Sequence, residues 1–168
     1  ESTPERDMLD AEHHAYRRLP RPVAHRRIIT LDKREGYWVI EDIFTGEGPH
    51  QLEFFFNFDV GLDLRIESDR RVIAHDETVA LAIVPASGNA FETKIVGRWV
   101  SPGYGTRMRS SGIIYRLHTD VPFENVMLLI PYKLGDEERV ERLLGAGREG
   151  SSNDYQQLPG PQSPASGN

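Results

Sequence analysis

The sequence predicts an all-β fold: an antiparallel β-sandwich of about eight strands, one short C-terminal helix and a disordered tail. Three observations carry this. Apolar and polar residues alternate over several short segments, most plainly along Gln51–Phe58. Clusters rich in Gly, Pro, Ser and Asn separate these segments at short intervals. A helical apolar spacing occurs in one place only, near the C-terminus.

The first strand candidate, His25–Asp32, ends at Lys33-Arg34-Glu35-Gly36, a loop closing on glycine as hairpins favour. Tyr37–Phe44 follows, its β-branched bulk supplied by Val39, Ile40 and Ile43. Thr45-Gly46-Glu47-Gly48-Pro49 is expected to turn the chain back. Within His50–Asp59, Leu52, Phe54, Phe56 and Phe58 share one face and Gln51, Glu53 and Asn57 the other, with Phe55 the exception on the polar side. Large apolar groups in register form a core face, each stabilising by roughly 1.5–3 kcal/mol when fully buried. Val60–Arg71 is irregular and charged.

Val72–His75, Thr78–Pro85, Phe91–Val100, Gly112–His118 and Phe123–Tyr132 supply the remaining strands. Ser87-Gly88-Asn89, the Ser101–Ser111 loop and Thr119-Asp120-Val121-Pro122 separate them. A helix is predicted over 135–146. Asp136, Glu137 and Glu138 suit its first turn, Val140, Leu143 and Leu144 form its apolar stripe, and Gly145 and Gly147 are expected to stop it. Residues 147–168 carry little apolar content and read as a disordered tail. The sandwich thus occupies 25–134. Residues 1–24 read as a segment continuing from a missing upstream region, because the chain begins with Glu1 and its polar start has no apolar leader.

Composition narrows the function classes. The longest apolar runs, such as Val79–Pro85, are strand-sized, so no membrane insertion is expected. The absence of Cys excludes disulfides and thiolate metal sites and leaves the compartment open. A net charge of −6 hides an asymmetry: Arg17, Arg18, Arg21, Arg26, Arg27, Lys33 and Arg34 face a single acid, Asp32, between His13 and Arg34. Such a stretch is either a solvated face or a local site for a polyanion; nucleic acid is not the expected partner of so acidic a chain.

No Gly-rich phosphate loop and no serine elbow is present. Of the six histidines, only His13-His14 are adjacent, and no zinc spacing accompanies them, so neither metal nor cofactor is assigned. His50, His75 and His118 read as surface or packing residues. His13, Tyr16, Arg17 and Arg26 could instead contact an acidic sugar, the ring groups by hydrogen bonds and the guanidinium groups by carboxylate recognition. In "GRWVSPGYGTRMRSSG", Trp99 shares a face with Ile95 and is expected to pack inward, with Arg98 facing the other way. Ser101-Pro102-Gly103 breaks the ladder, and Tyr104 either tucks against the sheet as an anchored corner or offers a further substrate contact.

Three ordered motifs resemble one family: His13-His14-Ala15-Tyr16-Arg17-Arg18-Leu19, Pro22-Val23-Ala24-His25-Arg26-Arg27, and Trp99-Val100-Ser101-Pro102-Gly103-Tyr104-Gly105, with "GYWVIEDIFTGEGPH" between the last two. From about His13 to Tyr132 the chain is similar to the C-terminal β-sandwich region of heparinase II/III-like polysaccharide lyases. At the first motif the family reads nearer His-Asp-Gly-Tyr, where this chain has His14 and Ala15. The resemblance implies a larger enzyme with an upstream α/α-toroid domain, acting on acidic, uronic-acid-containing polysaccharide by β-elimination. It also implies a periplasmic or cell-envelope location. The family's His-x-His-x-Asp stretch, toroid Tyr and His-Asn-Thr segment do not occur in this sequence. The resemblance therefore assigns no catalytic residue here and gives the piece a structural, substrate-lining role, with His13, Tyr16, Arg17, Arg26 and Tyr104 as candidate contacts. The alternative is a free-standing carbohydrate- or protein-binding module; autonomous elimination by Tyr16, Tyr104 and nearby histidines is a third reading.

Overall fold

The computed structural model describes residues 1–67 and 70–150, with side chains as far as Gly145. Eight strands form one antiparallel sheet: β1 (Arg6–His13), β2 (Val23–Asp32), β3 (Tyr37–Asn57), β4 (Asp63–Ile66), β5 (Val72–His75), β6 (Val79–Pro85), β7 (Glu92–Val100) and β8 (Met108–Lys133). Their order is β1-β2-β3-β8-β6-β5-β4, and β7 pairs with the first part of β8.

Two long strands make the sandwich from this single sheet. The first part of β3 pairs with β2 and with the last part of β8, while its second part pairs with the first part of β8. The two halves then share one core. Leu52, Phe54, Ile113 and Tyr115 from one half cluster with Ile40, Phe44, Val72, Ile83 and Met127 from the other. Within this cluster, Phe54 meets both Phe44 and Phe91 edge-on.

Two expected turns are therefore corrected. Residues 45–49 do not reverse the chain, and 119–122 do not separate two strands; both lie inside continuous strands that face one another. The register shifts between Phe44 and Gly48, a bulge that re-aims β3 without ending its pairing. Gly46 is needed there for space, since a Cβ on it would lie 2.6 Å from the Pro22 carbonyl oxygen. Gly46→Ala is expected to lower stability by about 1–3 kcal/mol through this clash with backbone. A urea midpoint matching the parent's at an unchanged slope would refute that.

The helix α1 (Glu138–Gly150) begins after Asp136 and Glu137 and runs through Gly145 and Gly147, which were expected to stop it. Val140 and Leu143 bury its apolar stripe against Ile73, Ala80, Ala82, Val84, Ile130 and Tyr132, a second core on the other face of the sheet. That tertiary burial explains how the helix tolerates glycines that weaken it intrinsically. Arg139 donates to the carbonyls of Pro131 and Glu35, and Arg71 pairs with Glu141 at 2.6 Å. The expected tail from residue 151 onward lies outside the described residues. No helix among the described residues is long and apolar enough to cross a membrane.

Candidate functional site: a buried carboxylate under a histidine pair

Strand β1, which the polar text of residues 6–13 had not disclosed, adds to the edge of β2 and sets His13 directly opposite His25. On the next strand, Arg27 lies opposite Asp42 and His25 opposite Phe44. Because paired residues project to one side, His13, His25, Arg27, Asp42 and Phe44 share a single face.

Asp42 is the centre of this group and is 1% exposed. Arg27 grips it with a two-pronged contact, Nε to Oδ1 at 2.7 Å and Nη2 to Oδ2 at 3.0 Å. His25 Nε2 lies 2.6 Å from Oδ1. Burial pushes the Asp42 carboxyl up, but the hydrogen bonds from His25 and Arg27 outweigh it and hold the group below the usual carboxylate range. In register beyond Asp42 comes Asn125, also 1% exposed, whose Oδ1 accepts from Ser87.

The polar chain continues outward. His25 Nδ1 lies 3.2 Å from His13 Nε2, and the Ala15 amide points at His13 Nδ1. One assignment satisfies every link: His25 donates from Nε2 to Asp42 and accepts at Nδ1 from His13 Nε2–H, and His13 accepts at Nδ1 from Ala15. The His25 ring stacks on Phe44 with centroids 4.4 Å apart, which fixes its plane. A 3₁₀ turn over Ala15–Arg18 then brings Tyr16 within 5.1 Å of the His13 ring, centroid to centroid. Chemically, this is a buried anion that orients one imidazole, which orients a second at the surface.

Of the residues singled out in the sequence, His13 and Tyr16 come together, and Arg17 follows them on the same exposed turn. Arg26 points to the opposite face, where both Asp10 oxygens accept from its guanidinium. Tyr104 is elsewhere, in the β7–β8 loop. It is fully exposed, so the anchored corner is corrected: nothing in that loop packs over it. His50 and His118 line an open depression of about 360 Å³ with Pro49, Gln51, Thr119 and Asp120. Register sets His50 opposite Thr119 and His118 opposite Gln51, so the two rings leave different faces of the sheet. No three His, Asp or Glu side chains converge as a metal site among the described residues.

Sequence reasoning missed His25, Arg27 and Asp42 as a unit. The available signal was an acid at the inward position of Ile40-x-Asp42-x-Phe44, which demands a cation on the neighbouring strand.

An all-β domain with a bent sheet and a histidine-bearing edge is the class that this geometry defines. The chain belongs to the heparinase II/III-like family: residues 1–153 match its C-terminal domain, described as "Heparinase II/III-like, C-terminal". Among solved structures, it is similar to heparan sulfate lyase HepC from Pedobacter heparinus, with TM-score 0.70 and 16% identity over 79% of this chain and 21% of that one. It is also similar to the heparinase III BT4657 gene product, with TM-score 0.64 and 16% identity over 79% of this chain and 20% of that one. At such identity the likeness concerns the fold, and the chain spans about a fifth of the length of those enzymes. No curated protein matches the chain.

Proposed function

We propose that this domain is the structural and substrate-lining C-terminal part of a polysaccharide lyase that cleaves uronic-acid-containing polymer by β-elimination. The match to the family's C-terminal domain over residues 1–153 carries the reading. Elimination needs a neutralised carboxylate, a base for the C5 proton and an acid for the leaving oxygen. In this reading, an α/α domain upstream supplies those reacting groups.

The exposed turn contributes charge and shape. Arg17, Arg18 and Arg21 form no ion pair among the described residues; Arg21 only reaches the Pro49 carbonyl, at 3.5 Å, so all three charges can turn to sugar carboxylates or sulfates. His13 and Tyr16, held by the chain down to Asp42, offer hydrogen bonds to the same polymer. A cell-envelope location, where such polymers are met, accords with this role.

Ultraviolet absorbance of unsaturated uronate ends tests the proposal. The 168-residue chain is expected to give no rise above a heat-treated control on heparan-type, hyaluronan-type or alginate polymer, while the product of its full gene gives one. A rise from the chain alone, abolished by His13→Ala with Tyr16→Phe, would move catalysis into this domain. No rise from the full gene product on any acidic polymer would discard the lyase reading.

A further inference from the structure

The β7–β8 hairpin carries a second set of groups that the site above does not use. By register Trp99 is opposite Arg109, and Ile95 opposite Ile113, so Trp99 lies on the core-facing side of the sheet, as the alternation predicts. Its burial was predicted wrongly. Trp99 is 48% exposed, because the hairpin extends past the buried cluster and the inner face of β7 is open to solvent from Ile95, itself 43% exposed, onward. Arg98 faces the other way, over the ring of Phe55 at 5.2 Å.

Two guanidinium groups stand against the exposed indole, Arg107 at 3.9 Å and Arg109 at 4.3 Å from its centroid. Neither arginine forms an ion pair among the described residues. In a chain of net charge −6 that is a notable concentration of unneutralised cations. Tyr104, fully exposed, and Met108, 42% exposed, adjoin them in the same hairpin.

We infer that this tip is a second binding site for anionic polysaccharide, separate from the His13 edge. The indole edge and the Tyr104 ring present flat apolar surface to sugar rings, and the arginine forks accept carboxylate or sulfate groups. Sugar acids suit this set better than an apolar partner, whose approach would strip water from two unpaired guanidinium groups. Between the tip and Val121, beside the bulge, β8 runs on the order of 40 Å at about 3.3 Å per residue, so one long polymer could engage both ends of the domain. The inference rests on the proposed polymer class, not on the location of the reacting groups.

Fluorescence titration with heparin-type and alginate oligosaccharides tests it. The chain has two tryptophans, so Trp38→Phe leaves Trp99 as the reporter. Binding is expected to change its emission, to weaken at least tenfold in Arg107→Glu with Arg109→Glu, and to weaken less in the milder Arg107→Gln with Arg109→Gln. Far-ultraviolet circular dichroism confirms that each variant is folded. Charge reversal at Arg17, Arg18 and Arg21 should leave the Trp99 signal intact. An affinity unchanged by reversal at the tip, or equal binding of neutral dextran or single-stranded DNA, would overturn the inference. If acidic oligosaccharides bind and only reversal at Arg17, Arg18 and Arg21 weakens them, the tip site fails and the lyase reading stands.

Discussion

Replacing Arg27 with methionine is expected to cost about 2–3 kcal/mol of folding stability at neutral pH, among the largest losses available to a substitution with no effect on core volume. The reason is the carboxylate left behind. Asp42 is 1% exposed and would keep only the hydrogen bond from His25. The figure is below that for a fully enclosed pair because the Arg27 side chain is 40% exposed, so water can enter where it leaves. Asp42→Asn removes the charge that needs compensation, so the double variant should recover part of the loss, with a coupling of about 1–2 kcal/mol.

The same group gives a pH signature. The Asp42 carboxyl lies below its ordinary range in the folded state, so its contribution is fully present above the unfolded value of about 3.9 and is lost as pH falls through the folded one. Acid should therefore destabilise the parent more steeply than Asp42→Asn. Urea unfolding at pH 7 and near pH 3 separates the cases. An Arg27→Met variant within about 0.5 kcal/mol of the parent would show that the fork adds little beyond what water supplies.

The strands that carry continuous apolar alternation were legible in the sequence, because Leu52, Phe54 and Phe56 state their facing directly. What was not legible is where a strand stops. Gly46, Gly48 and Pro49 suit a reversal by composition, yet Pro49 is paired opposite Asp120 and the strand continues; only the partner strand decides between a turn and a bulge. β1 escaped notice for a related reason. Arg6–His13 lies at an open edge with few buried side chains, so its alternation leaves no apolar trace. At the tip, period two placed Trp99 on the correct face but could not report that the opposing layer ends before reaching it. For the site, His13 and Tyr16 stood out as residue types, whereas the role of Asp42 depended on two pairings across separate strands.

Truncating Tyr115 to alanine is expected to have the largest effect of all, about 3–5 kcal/mol, and to abolish cooperative unfolding if the two halves of the sheet separate. Tyr115 is wholly buried and sits where the halves meet: Phe56 and Phe91 approach its ring edge-on at 6.0 and 5.6 Å. Its hydroxyl donates to the carbonyl of Ile83 at 3.4 Å, on the opposing half, and lies 3.3 Å from the carbonyl of Arg70. Tyr115→Phe separates the two contributions. It keeps the ring contacts and leaves those carbonyls without this donor, so it should cost only about 1 kcal/mol. If the phenylalanine variant proved as unstable as the alanine one, the polar link rather than aromatic packing would be what holds the halves together. The functional consequence follows from the same geometry. The His13 edge belongs to one half of the sheet and the Trp99 tip to the other, so Tyr115→Phe should leave both proposed surfaces intact, while Tyr115→Ala should uncouple their fixed separation before either surface loses its own local hydrogen bonds.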